Sequence, residues 1–290
     1  MGELFLFGDW SDLPIKPRLN PLVIGPSGIG KSHVLRSVAA EMGIKYMRVT
    51  GSGWIIAGAR QEPTLLRIQE FVATNEQGIL HLDECEKIGG LSEWCGFMRG
   101  EIFDLLDRTP PIVKDMEWSP DVISKLKNDF WCVASGTFQD LWAQAAKARV
   151  GFGEPQSAEA YLENVRRLVA SSDIIPAELL RRFNEDLIIL PPATEEDFQQ
   201  AADMNGLTQL AVALNTRLNF EEAVASGRGA RWLEEMQARL LLQARRLNRM
   251  DLAPMRPFMS ESSSDPDVDV EDDRFLGGDN PKFGITNSVL

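Results

Sequence analysis

Between the apolar run Leu22-Val23-Ile24 and a helical pattern from His33 to Met42, the chain reads Gly25-Pro26-Ser27-Gly28-Ile29-Gly30-Lys31-Ser32. This is G-x-x-x-x-G-K-[ST] at every position. Glycines here let successive amides turn inward at a helix N-terminus, where unpaired N–H groups and the helix dipole favour a polyanion. The motif needs a strand to deliver the loop and a helix to receive it, so it commits this part of the chain to an α/β unit. In that role Lys31 reaches the β and γ phosphates of a nucleoside triphosphate, and the Ser32 hydroxyl coordinates its magnesium. Gly25 to Ser32, with His33 next on the helix, form the candidate ATP-binding set.

A second feature fits the same chemistry. The run Ile79-Leu80-His81-Leu82 ends in Asp83-Glu84. At a strand end beside the loop, Asp83 would hold magnesium, through water or Ser32, while Glu84 would position and polarise the attacking water. Five short runs have strand character: Leu22–Ile24, Tyr46–Val49, Gly78–Leu82, Trp131–Ala134 and Leu187–Leu190. Longer periodic segments alternate with them, which predicts a parallel sheet with helices on both faces. After Pro191-Pro192 the composition turns to Ala, Leu, Glu, Gln and Arg at helical spacing. The predicted organisation is an α/β nucleotide-binding domain over 1–190, a small all-helical lid over 191–258, and an acidic, disordered tail over 259–290.

Charge and cysteine content bound the partners. The net charge is −13, the wrong sign for a surface that grips nucleic acid or anionic lipid mainly by charge. Residues 259–290 carry eight acidic and two basic side chains. Such a segment buries too little apolar surface to offset its ordering entropy. Three cysteines and two histidines give neither a disulfide framework nor a zinc site. Asp9 and Asp12 interrupt the apolar residues near the start, and no run approaches the ~18 apolar residues of a membrane span. A cytoplasmic chain without a membrane anchor is the expectation.

The loop followed by a strand ending in Asp-Glu resembles the Walker A and Walker B motifs of AAA+ ATPases, a class of P-loop NTPases. Four further segments are similar to the ClpX and HslU unfoldase branch. Val133-Ala134-Ser135-Gly136-Thr137 is similar to its sensor-1 region, with Ser135 the first choice and Thr137 the second for contact with the γ-phosphate or the lytic water. The segment from Ile175 to Phe183 resembles the one ending in an arginine finger; Arg182 falls at the family position, and Arg181 stands at what is usually Gly. Gly229-Ala230-Arg231 looks like the sensor-2 signature, with Arg231 reaching its own subunit's nucleotide from the lid. Gly51-Ser52-Gly53-Trp54-Ile55 lies where the branch carries its pore loop, so Trp54 and Ile55 are the expected pair that grips polypeptide.

The resemblance implies an ATP- and Mg2+-dependent ATPase assembling into a homo-oligomeric ring, most simply a hexamer, that remodels or threads a protein partner. Two alternatives stay open. One is a nucleic-acid-linked AAA+ ATPase, suggested by Arg239, Arg245, Arg246 and Arg249; the other is a nucleotide-gated assembly switch. The stretch from Leu141 to Asp173 is either a partner-binding element or an elongated loop and helix.

Overall fold

The structure, a computed structural model, describes residues 20–90, 92–109, 117–147, 158–171, 177–183 and 187–248. The chain runs β1 (Leu22–Ile24), α1 (Lys31–Met42), β2 (Lys45–Thr50), α2 (Thr64–Thr74), β3 (Gly78–Asp83), a short 3-10 turn (Cys85–Gly89), α3 (Glu93–Leu106) and α4 (Pro120–Asn128). It continues with β4 (Phe130–Gly136), α5 (Gln139–Lys147), α6 (Ala158–Ser171), α7 (Ala177–Leu180) and β5 (Leu187–Ile189). Four helices follow: α8 (Glu195–Met204), α9 (Leu207–Ala213), α10 (Phe220–Ser226) and α11 (Ala230–Arg246).

All five predicted strands are present, in one parallel sheet of order β2-β3-β4-β1-β5. Helices cover both faces, which is why the central strands are apolar on both sides. Val23, Ile79 and Val133 pack beneath Leu35 and Ala39 of α1. On the opposite face Ile24, Leu80 and Ala134 meet Leu65 and Ile68 of α2 and Met98 and Ile102 of α3. Because side chains alternate along a strand, His81 and Asp83 share the α1 face with Ile79, and Ser135 shares it with Val133. Tyr46 and Arg48 alternate onto that face too.

Strand β4 lies between β1, which feeds the Gly-rich loop, and β3, which ends in Asp83. Its register pairs Ala134 with both Leu82 and Leu22. Ser135 is thereby set beside Asp83, at the end of the sheet from which the loop springs.

Local signals explain the helix ends. Gly43 closes α1 in the left-handed conformation, its N–H reaching the Ala39 and Ala40 carbonyls. Ser119 caps α4 ahead of Pro120 in its first turn, and Thr194 and Asp197 form a capping box that opens α8. In the stretch from Leu141, α5 and α6 send Leu141, Ala145, Tyr161 and Val165 into the main core. It is a packed part of the α/β layer there. Beyond Leu190 the described residues are helical and enclose their own apolar cluster around Phe198, Leu210, Trp232 and Leu240. The acidic stretch 259–290 lies outside the described residues.

At the opposite end of the sheet a buried polar staple ties three elements together. Arg108, 3% exposed and at φ +58°, donates to the Asn20 side-chain oxygen at 3.0 Å, the Leu126 carbonyl at 3.2 Å and the Cys132 sulfur at 2.8 Å. Asn20 in turn donates to the Leu106 and Arg182 carbonyls, both at 3.0 Å. Arg108→Met strips the guanidinium from these buried acceptors and is expected to cost about 2–4 kcal/mol, read by urea unfolding. A change below ~0.5 kcal/mol would show that the staple is only space-filling.

Candidate nucleotide site

The loop from Gly25 to Gly30 turns between β1 and α1, with Gly28 at φ +76° and Gly30 at φ +94°. Only glycine fits at Gly28. A Cβ there would stand 2.1 Å from the Arg228 carbonyl oxygen, on the segment leading into α11. Reciprocally, Gly229 adopts φ 57°, ψ −138°, and its Cβ would lie 2.3 Å from the Gly28 oxygen. The two backbones touch, and the Ala230 N–H donates to the Gly28 carbonyl at 2.8 Å. The start of α11 is therefore seated on the loop. Lys31, at the head of α1, donates through Nζ to the Gly25 and Pro26 carbonyls at 2.8 and 3.0 Å. Burial lowers its pKa, opposed by the nearby charges of Asp83 and Glu86; Arg231 also lowers it, so the lid's arginine shares the site's field.

Asp83 is the node of the site. Its Oδ2 accepts from Ser32 Oγ at 3.2 Å and from Arg48 Nε and NH2 at 3.0 and 2.9 Å. Its Oδ1 accepts from Ser135 Oγ at 2.6 Å and from the Glu84 N–H at 2.9 Å. Burial opposes ionisation, but the Ser135 hydrogen bond, the His81 ring, the Glu84 amide and Arg48 outweigh it and hold the pKa at about 2. The group is a fixed carboxylate at neutral pH. Behind Ser135 the chain of hydrogen bonds continues, with His81 Nε2 2.7 Å from Ser135 Oγ and Tyr46 Oη 2.6 Å from His81 Nδ1. His81 has 0% exposure, and burial lowers its pKa to about 4, so the ring is neutral.

Glu84 turns away from the strand at φ 56°, a left-handed conformation that non-glycine residues seldom adopt. That turn separates the two carboxylates of Asp83 and Glu84. Ser52, from the loop after β2, donates to Glu84 Oε2.

The donor set suits magnesium and a phosphate chain: a hydroxyl and a fixed carboxylate meet at Ser32 and Asp83, beside a glycine-lined loop whose carbonyls hold the Lys31 ammonium. Of the residues expected from sequence, Gly25, Pro26, Ser27, Gly28, Ile29, Gly30, Lys31, Ser32, Asp83 and Glu84 converge here, with exposed His33 one residue along α1 and Arg231 approaching from α11.

Two expectations are revised by the geometry, those for Ser135 and for the Trp54–Ile55 pair. Ser135 does reach the site, but its hydroxyl is fully buried and engaged by Asp83 and His81, so it braces the carboxylate and does not face a phosphate. Trp54 is 2% exposed, packed in the main core with its indole N–H donating to Glu101 at 2.7 Å. It anchors the loop and is not a gripping residue. Ile55 is half-buried, its N–H held by Thr64 Oγ1 at 2.8 Å; the exposed parts of that loop are Ser52 with Gly53 and the stretch from Gly58 to Glu62. Arg182 lies away from the site of its own chain: its carbonyl is bound by Asn20, before β1, whereas the loop follows β1, about 16 Å along the strand. Its guanidinium pairs with Asp107 at 3.1 Å and stacks over Phe103 at 3.9 Å.

Sequence reasoning missed Arg48 and Ser52 as partners of the acidic pair, and His81 and Tyr46 behind Ser135. The visible signal was polar side chains at alternate positions of otherwise apolar strands, Tyr46 and Arg48 on β2 and His81 on β3, two residues before Asp83. Their common face required the sheet order.

Residues 21–104 match the family model of the ATPase family associated with various cellular activities (AAA). That span covers β1 through most of α3, including the loop and the acidic pair, and supports an ATPase of the AAA+ type. No curated protein matches the chain. Among the described residues no helix is long and apolar enough to cross a membrane, and no group of three or more His, Cys, Asp or Glu side chains is arranged to hold a metal.

The buried imidazole carries a pH dependence. Its pKa is lower in the folded chain than the ordinary 6.5, so the unfolded state binds more protons between these values and stability is lost as pH falls from 6.5 through 4. The loss is on the order of 3 kcal/mol. Asp83, whose pKa is depressed, contributes in full above its ordinary value, and that part is lost as pH falls from 3.8 toward about 2. In urea titrations the stability gap between wild type and His81→Phe should narrow by that amount from pH 7 to pH 4; parallel curves would contradict a neutral buried ring.

Proposed function

We propose that the chain is an ATP-hydrolysing AAA+ ring protein that remodels or threads a polypeptide partner. The observation that carries the ATPase reading is the meeting of Lys31, Ser32, Asp83 and Glu84 at one end of the parallel sheet, with the Arg231 helix seated on the loop by the Ala230–Gly28 hydrogen bond. ATP would supply the transferable phosphoryl group, and magnesium, held by Ser32 and Asp83, would neutralise charge on it. Lys31 would leave the Gly25 and Pro26 carbonyls to pair with phosphate oxygens. Glu84, set apart from Asp83 by its left-handed turn, would accept a proton from water, and Ser52 restrains that carboxylate.

The place of Arg182 supports the ring reading. At the far end of β1 it cannot reach its own chain's loop, so a catalytic role for it requires a neighbouring copy whose site it completes. Pairing with Asp107 and stacking on Phe103 would hold it ready at the subunit edge. The likeness of Gly229-Ala230-Arg231 and the Arg182 segment to the ClpX and HslU branch supports a protein client over nucleic acid, as does the net charge of −13.

ATP turnover tests this reading. Glu84→Gln should lower it by at least ~100-fold while nucleotide binding persists. Unfolded casein should stimulate wild type; stimulation by DNA alone, falling steeply with salt, would instead support the nucleic-acid-linked alternative. Tight binding with no turnover would leave a nucleotide-gated switch.

Subunit mixing tests Arg182. Combining inactive Glu84→Gln with inactive Arg182→Ala chains creates some interfaces with an intact Glu84 on one side and an intact Arg182 on the other. Turnover of the mixture should exceed that of both parents together; no gain at any ratio would remove Arg182 from catalysis in trans.

A further inference from the structure

His81 is the one fully buried imidazole among the described residues, and it sits in an apolar layer between Ile79 and Val133 and beneath α1. An aliphatic side chain would satisfy that packing. Burying an imidazole there is unfavourable unless both ring nitrogens are bonded, and both are. The direction of the bonds follows from the end of the chain. Ionised Asp83 can only accept, so Ser135 donates to Oδ1. The Ser135 oxygen must then accept from His81 Nε2–H, and His81 Nδ1 accepts from the Tyr46 hydroxyl. One tautomer and one hydroxyl orientation satisfy all four groups.

We propose that His81, backed by Tyr46, is a positioning residue for Asp83. By fixing the Ser135 hydroxyl it pins Oδ1, and Oδ2 is thereby turned toward Ser32, where the metal of a bound nucleotide would be held. The proposal rests on the nucleotide reading above and adds to it a line of neutral donors running from β2 across β3 to β4. Arg48 restrains the same carboxylate from the other oxygen, but as a cation it competes with a metal for Oδ2, whereas the His81 line leaves that oxygen open. Without His81 the Ser135 hydroxyl loses its fixed donor and can rotate off Asp83, leaving Oδ1 with the Glu84 amide. Outer-shell groups of this kind change metal affinity by about 10–100-fold.

The test measures binding of fluorescent mant-ATP by the full chain, with Mg2+ and with EDTA. In wild type Mg2+ should tighten binding. His81→Phe should lose about tenfold of that metal-dependent gain with affinity in EDTA unchanged. His81→Gln, whose amide nitrogen can stand near the ring Nε2, should recover most of it. Ser135→Ala, which removes one hydroxyl and preserves the packing, should show the same loss and carries the test if His81→Phe does not fold; in its background His81→Gln should restore nothing. An unchanged Mg2+ gain in His81→Phe or Ser135→Ala, or an equal loss in EDTA, would overturn the positioning role. Wild type that binds no mant-ATP under either condition would overturn the nucleotide reading and the proposal with it.

Discussion

A buried carboxylate accepts hydrogen bonds and donates none, and around Asp83 the structure meets that demand from four directions. Ser32 comes from α1, Arg48 from β2, Ser135 from β4, and the Glu84 amide from the turn that ends β3. Each donor belongs to a different piece of the fold, so the arrangement exists only when the sheet is complete and α1 lies across it. Strand order is the underlying cause. With β4 between β1 and β3, the serine that braces the carboxylate reaches it from the adjacent strand, and the strand feeding the Gly-rich loop is one place further on.

The second junction is made of backbone alone. Gly28 and Gly229 approach so closely that neither tolerates a Cβ, and the Ala230 N–H closes on the Gly28 carbonyl. The helical region is thereby attached to the loop by main-chain contact, with Arg231 carried on the first turn of α11 beside the field of Lys31. A change in the loop's backbone would be felt directly at the base of that helix.

Much of this was legible in the chain. The five apolar runs became five strands at nearly the expected bounds, because parallel strands covered on both faces are largely apolar. The Gly-rich loop was readable because its positive-φ backbone calls for glycine, and the Asp-Glu pair because two adjacent carboxylates end an apolar run. Trp54 was the opposite case. A tryptophan among glycines looks available, and only the tertiary packing shows that Glu101, from α3, takes its indole N–H while the ring fills the core. Ser135 was found by its place after a strand, but its orientation depends on His81 and Asp83, distant in sequence and adjacent across the sheet.

The sequence by itself determined the chemistry available: a loop that can cradle phosphates, a lysine and serine at a helix start, and an acidic pair at a strand end. Those features are short-range, set by glycine's backbone freedom and by helix and strand ends, and so they survive in the linear text. Tertiary structure alone decided which side chains surround them. Arg48 and His81 flank the carboxylate because strand register and alternation put them on its face. Arg182 stands apart because β1 separates it from the loop of its own chain. Such relations are properties of the sheet's order, which no local spacing encodes.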